Sequence, residues 1–234
     1  MAEFEFAVPT SADTFARLAV ELHDAPGVEE TVDAVVQFAL QALNCTYAGV
    51  ALHSRGSRAN IVAVTDPIVA DIFERQISTA NGPLVVALRD RTTILIRDTK
   101  VDDRWPEWAA KVAELGVRSV LDVPLAIGNG AGPSVGVLGL YSPDADAFGQ
   151  DDEAIAHILA RHASIAVASA RHEETMAQAV DARKLVGQAM GILMERFDVD
   201  GDRAFAILKR YSQDTNTKLR DVAQRLVDTR KLPH

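Results

Sequence analysis

Apolar residues recur at three- and four-residue spacing over residues 13–22 and again over 28–43, where Val32, Val35, Val36, Ala39, Leu40 and Leu43 share a face. That spacing predicts a pair of amphipathic helices at the start of the chain. The period then shortens. Residues 47–52 and 61–65 are short β-rich runs joined across the polar Ser54-Arg55-Gly56-Ser57 segment, which suits a hairpin. After Asp66-Pro67, residues 68–77 read as a helix, while 84–88 and 93–96 give only brief apolar runs. A polar loop, 98–106, ends in Trp105-Pro106, and a helix over 107–115 is stopped by Gly116, because glycine takes the left-handed conformation just past a helix end. Two strong strands, 119–127 and 134–142, flank a glycine-rich turn at 128–133. The order strand, strand, helix, strand, strand predicts an α+β domain with an antiparallel sheet and flanking helices, and excludes a doubly wound parallel sheet.

From Gln150 the pattern returns to helix. Asp151, Asp152 and Glu153 suit a helix N-terminus, and no Gly or Pro intervenes before Gly187. Ile155, Ile158, Leu159, Ile165, Val167 and Ala168 form the predicted apolar face, which weakens from Ser169 to Glu174 and continues loosely through Met176, Val180 and Val186. No strict heptad survives, so a coiled coil is one reading of this joining helix and a packed terminal helix the other. A homodimer through it is expected. Three amphipathic segments follow, 180–197, 201–213 and 217–228, whose predicted core is Leu185, Val186, Ala189, Met190 and Leu193, then Ala204, Phe205, Leu208 and Tyr211, then Leu219, Val222, Ala223 and Leu226. Each is too short to be stable alone in water, but three apolar stripes close a small all-α bundle. Asp200 is placed to cap the second of these helices and Asn216 or Thr217 the third. Gly187 and Gly191 lie inside the first, each costing about 1 kcal/mol against alanine, which asks for close approach of another helix or of a phosphate backbone.

Charge divides the chain at the same place. Residues 179–234 hold eleven Lys or Arg against eight Asp or Glu, a net +3, whereas the rest of a chain of net charge −9 stands at −12. Halves of opposite sign suggest different jobs, the basic one a candidate for a polyanion. The expected division is a sensor-like domain over 12–170, a helical linker over 171–178 and a basic domain over 179–234. Residues 1–10 are acidic where a signal peptide needs basic residues, and no window is apolar enough to span a membrane, so a cytoplasmic protein without a membrane partner is expected. Cys45 is the single cysteine and opens an apolar run, which fits core packing. No metal cluster, nucleophile and base set or phosphate-cradling loop stands out, so no catalytic role is expected. His157, His162 and His172 have poor spacing for a metal on one helix face, and a lone His53 at a strand end is a weak haem ligand. Trp105 and Trp108 suit sealing the sheet edge better than lining a pocket.

Asp102-Asp103-Arg104-Trp105-Pro106, Gly116-Val117-Arg118-Ser119-Val120-Leu121 with Pro124-Leu125, and Val135-Gly136-Val137-Leu138-Gly139-Leu140-Tyr141-Ser142 followed by Ala147-Phe148 resemble the second half of a GAF domain. The resemblance covers about residues 12–170. It implies a six-stranded antiparallel sheet with helices on one face and room for a small-molecule ligand, whose identity is left unknown. The Asn-Lys-x-x-x-Phe-x-x-x-Asp-Glu signature of cyclic-nucleotide binders is missing, Cys45 does not look like a bilin attachment site, and methionine sulfoxide reduction, known in some relatives, needs several cysteines.

In the tail, Gln188-Ala189-Met190-Gly191-Ile192-Leu193-Met194, then Ala204-Phe205 with Leu208-Lys209-Arg210-Tyr211-Ser212, then Asn216-Thr217-Lys218-Leu219-Arg220-Asp221-Val222-Ala223, resemble the ANTAR domain, a three-helix RNA-binding module of transcription antiterminators. The resemblance implies binding of paired hairpins in nascent mRNA, with RNA polymerase affected indirectly. Met190 stands where many relatives have lysine. The exposed polar residues of this segment give the candidate RNA surface. Lys209 and Arg210 close the second helix, Lys218 and Arg220 open the third, and Asn216 sits between them, with Tyr211 able to stack and Arg183 able to add a phosphate contact. A DNA-binding helix-turn-helix is the nearest alternative, and a module for an acidic protein partner is a third.

Overall fold

The computed structural model describes residues 20, 25, 27–53, 59–126 and 134–231, which separate into two compact units with the division between Arg171 and His172. The helix expected over 13–22 and both turn segments, 54–57 and 128–133, lie outside the described residues, apart from Val20. No described helix is long and apolar enough to cross a membrane.

The first unit is built as α1 (Val28–Ala42), β1 (Tyr47–Leu52), β2 (Asn60–Val64), α2 (Pro67–Thr79), α3 (Pro83–Asp90), β3 (Ile94–Ile96), α4 (Pro106–Glu114), β4 (Ser119–Ala126), β5 (Ser134–Ser142) and the start of α5 (Gln150–Phe197). The strands pair antiparallel in the order β2-β1-β5-β4-β3. Five strands are present among the described residues, where the family resemblance implied six. The apolar run at 84–88 is helical because Pro83 presets the first helical position, and the buried Gln76 side chain accepts from the Leu84 N–H at 2.8 Å.

Both faces of the sheet are covered, as the continuous burial of β4 and β5 requires. Val50, Leu121, Val123, Leu138 and Leu140 pack with α1 and with Ala156, Leu159, Ala163 and Val167 of α5. Val120, Val137 and Tyr141 pack on the other face with Ile72 and Phe73 of α2, Leu84 of α3 and Trp108 and Val112 of α4. The apolar face expected on α5 is corrected in two places: Ile158 is 45% and Ile165 57% exposed, while Leu159 and Val167 are buried as expected, together with Ala156, Ala160 and Ala163.

Gly49 and Gly139 lie side by side in β1 and β5 to admit the Phe73 ring. A Cβ on Gly139 would stand 3.0 Å from that ring, 2.9 Å from Asp122 Oδ1 and 2.6 Å from the Tyr141 hydroxyl. Gly139→Ala is expected to destabilise this unit by about 1–3 kcal/mol through overpacking. Denaturant unfolding followed by tryptophan fluorescence checks it, because both tryptophans of the chain, Trp105 and Trp108, lie in this unit.

The second unit comprises the end of α5, then α6 (Gly201–Asp214) and α7 (Leu219–Thr229). Its core is Ala189 and Leu193 of α5, Ala204 and Leu208 of α6, and Val222, Ala223 and Leu226 of α7. Leu185, Val186, Met190, Tyr211 and Leu219 pack around it half-buried. Phe205 departs from the expected core: it is 41% exposed.

Candidate nucleic-acid interface

The corner between α6 and α7 combines the packing of Tyr211 and Leu219 with a set of hydrogen bonds. The Thr215 N–H and hydroxyl both donate to the Tyr211 carbonyl, at 3.0 and 2.6 Å, closing the last turn of α6. Asn216 then takes the left-handed conformation at φ 47° and donates its N–H to the Gln213 carbonyl, a helix ending that asparagine tolerates better than most residues. The Thr217 N–H donates to the Ser212 carbonyl at 3.0 Å, and the Ser212 hydroxyl donates back to the Thr217 carbonyl at 2.7 Å. These bonds fix the step from one helix to the next.

They also correct the expected capping. Asp200 caps α6 as predicted, accepting from the Arg203 N–H at 2.8 Å. Neither Asn216 nor Thr217 caps α7; the N-cap position is Lys218, with no side-chain hydrogen bond to the helix. Asn216 is used to end α6, and the Thr217 hydroxyl is turned back to the Thr215 carbonyl at 3.2 Å. The open N-terminus of α7 therefore offers unpaired backbone N–H groups beside Lys218, a combination that suits an anion.

Lys209, Arg210, Asn216, Lys218 and Arg220 are all exposed around this corner. Among the described residues Lys209, Lys218 and Arg220 have no acidic partner within ion-pair distance, whereas Arg210 lies 3.5 Å from Asp214 one turn on. Residues 100° apart on a helix diverge, so Lys209 and Arg210 leave α6 in different directions and straddle its outward face. Tyr211 is half-buried against the core and is less open than the other candidates. Arg183 is exposed on α5, on the same helix face as Gly187. A Cβ at Gly187 or Gly191 would meet nothing within 4 Å, so helix packing within the described chain is not what these glycines serve. Gly191 instead floors an open groove of about 540 Å³ between α5 and the end of α7, lined also by Gln188, Ile192, Glu195, Val227 and Arg230. Arg196 closes the end of the unit by donating to the Arg230 carbonyl at 2.6 Å.

In the first unit the sheet face under α2, α3 and α4 is filled by the protein's own side chains. Phe73 and Tyr141 meet edge to face with ring centres 6.1 Å apart. Beside them Asp122 is fully buried, with Oδ1 accepting from the Tyr141 hydroxyl at 3.5 Å and Oδ2 without a partner. Burial pushes the Asp122 carboxyl up to about 7, only partly offset by the Tyr141 hydroxyl. Sequence reasoning missed this residue, although a single acid inside the apolar run Val120-Leu121-Asp122-Val123 was the signal. An apolar cleft of about 180 Å³ lies nearby between His53, Ala59, Ile77, Ala80 and α3 residues Leu84, Val85 and Leu88. The Cys45 thiol donates weakly to the Ala39 carbonyl at 3.5 Å, and burial pushes it up to about 12, which fits packing rather than nucleophilic chemistry. The described residues contain no group of three or more His, Cys, Asp or Glu able to hold a metal ion.

Comparison with known proteins agrees with this architecture. The family model described as GAF domain matches residues 25–168, and the model described as ANTAR domain matches residues 174–227. No curated protein matches the chain. Among solved structures, the GAF domain of a phosphoenolpyruvate-protein phosphotransferase from Coxiella burnetii is similar at 17% identity and a TM-score of 0.55, covering 70% of this chain and 96% of that one. The free methionine-R-sulfoxide reductase from Neisseria meningitidis, in complex with its substrate, is similar at 15% identity and a TM-score of 0.54, covering 74% and 99%. The phytochrome photosensory core module of Stigmatella aurantiaca is similar at 13% identity and a TM-score of 0.57, covering 90% and 46%. Such identities speak for the fold alone. With a GAF match spanning more than half of its length, the chain belongs to the GAF domain family, and it carries an ANTAR domain after the GAF domain, the pairing of a regulator of the antiterminator type.

Proposed function

We propose that this protein binds paired hairpins in nascent mRNA through its ANTAR unit and so favours the structure that lets RNA polymerase read on, under control of the GAF unit. It acts in the cytoplasm, where the transcript emerges, and touches polymerase only through the RNA. The observation that carries this reading is the α6–α7 corner: a turn locked by side-chain hydrogen bonds, with Lys209, Lys218 and Arg220 exposed and free of acidic partners among the described residues. Unneutralised cations on a rigid scaffold are what phosphates require, because binding then releases counterions without first breaking ion pairs. Asn216 and the Arg220 guanidinium plane supply the polar edges and flat surface that unpaired loop bases need.

The test is a gel shift in which a two-hairpin RNA and a duplex DNA of equal length compete for the full chain. Retention of the RNA is the expected result; preference for the duplex would assign the tail to the helix-turn-helix class.

Two hairpins are best met by two ANTAR units, and the middle of α5 supports a homodimer. Every residue from 172 to 181 is exposed, including Met176 at 56% and Val180 at 60%, which are one helical turn apart. A helical stretch exposed all round is marginal in water and gains most from a second copy lying alongside. Light scattering at micromolar concentration is expected to give the mass of two chains, and a monomer would remove this part of the reading.

A further inference from the structure

We propose that Phe205 is a stacking platform for an unpaired base of the bound RNA; this rests on the RNA-binding reading above and adds a residue to it. On α6 the apolar residues Ala204 and Leu208 are completely buried and Ile207 and Tyr211 half-buried, yet Phe205 is 41% exposed. Tyr211, expected from the sequence in the core and also able to stack, is packed against the unit's core. Two rings of the unit are open, Phe197 at 52% at the end of α5 and Phe205, and of these Phe205 shares α6 with the cationic corner.

Its surroundings favour a nucleotide over an apolar partner. Lys209, exposed and without an acidic partner among the described residues, stands four residues on, so ring and ammonium share one face of α6. Asp202, three residues before, sits in the first turn, where the helix dipole offsets its charge. A flat hydrocarbon surface beside a lone cation matches the two halves of a nucleotide, a base with a π-face and a phosphate. The ring carries no hydrogen-bonding group, so its contact is tolerant of base identity, and it adds affinity without adding charge.

The full chain is titrated with a hairpin RNA carrying 2-aminopurine at successive loop positions, as wild type, Phe205→Ala, Phe205→Trp and Lys209→Ala. Phe205→Ala is expected to weaken binding about tenfold with the salt slope unchanged and to abolish quenching at one loop position. Phe205→Trp is expected to restore both, and Lys209→Ala to lower the salt slope. Equal affinity and equal quenching for Phe205→Ala would overturn the proposal, as would a change in its salt slope or a loss of the dimer by light scattering. Wild-type protein that ignores the hairpin altogether would overturn the RNA reading itself, a result distinguishable from the others because it precedes any substitution.

Discussion

Replacing Lys209, Lys218 and Arg220 together by alanine is expected to weaken hairpin binding about 100-fold near physiological salt, and to reduce the steepness of the salt dependence by about two to three. The reasoning is electrostatic. Each phosphate contact contributes about 0.7 to 0.9 to the slope of log affinity against log salt, so three lost contacts remove between two and three. At about 0.15 M salt the same three contacts account for roughly two decades of affinity. None of the three side chains belongs to the buried core of the unit, and all three are exposed, so the fold is expected to survive. Arg210 serves as the internal comparison. Its contact with Asp214 costs it little, since an exposed i,i+4 pair is worth only about 0.3–0.5 kcal/mol, and Arg210→Ala alone is expected to lower the slope by about one at most. Isothermal or fluorescence titrations at three or four salt concentrations read the slope directly. A triple variant with an unchanged slope would place the RNA surface elsewhere on the unit.

The second large effect concerns the GAF unit and pH. Asp122 is completely buried beside Tyr141, with one carboxyl oxygen unpartnered, and burial pushes its carboxyl up to about 7. In the unfolded chain the same carboxyl titrates near 3.9. Below both values the group is neutral in either state and imposes no pH-dependent cost. Between about 4 and 7 the unfolded state ionises while the folded state holds its proton, so stability falls as pH rises. Above about 7 both states are ionised and the loss is complete, on the order of 4 kcal/mol at most. Asp122→Asn keeps the shape and removes the titration, so its stability is expected to be flat across this window and to exceed that of wild type at pH 8. Denaturant unfolding read by Trp105 and Trp108, repeated from pH 4.5 to 8, gives both curves. Parallel curves for wild type and Asp122→Asn would show that the carboxyl is ionised in the folded protein and that relaxation around it is larger than the packed surroundings suggest.

How much of this was legible beforehand varies by residue. The strands of the first unit were visible in alternating and continuous apolar runs, and the stop at Gly116, which adopts φ 85°, was visible as a glycine after a helical pattern. Asp200 was readable as a cap because an N-cap depends on residues only three apart. The cationic members of the interface were readable as types, since lysine and arginine near a helix end remain exposed in almost any packing.

What the sequence determined is the set of local periods and punctuation: where helices and strands run, where they stop, and that a basic helical tail follows an acidic α+β domain. Tertiary structure alone decided which edge of each stripe is covered. Phe205 follows the buried Ala204 by 100° around α6, within the arc a periodic pattern admits as core, and only the placement of the neighbouring helices leaves it outside. The same holds for Ile158 and Ile165, left exposed while Leu159 and Val167 of the same helix are buried. Asn216 ends α6 instead of capping α7, and Lys218 takes the N-cap position, in a turn where Ser212 and Thr217 are hydrogen-bonded to each other. Asp122 acquired its raised carboxyl only when sheet pairing set it beside Gly139 and under α2. A repeat along one chain specifies a stripe wider than any single contact, and the second surface that presses on it selects the residues that lose water.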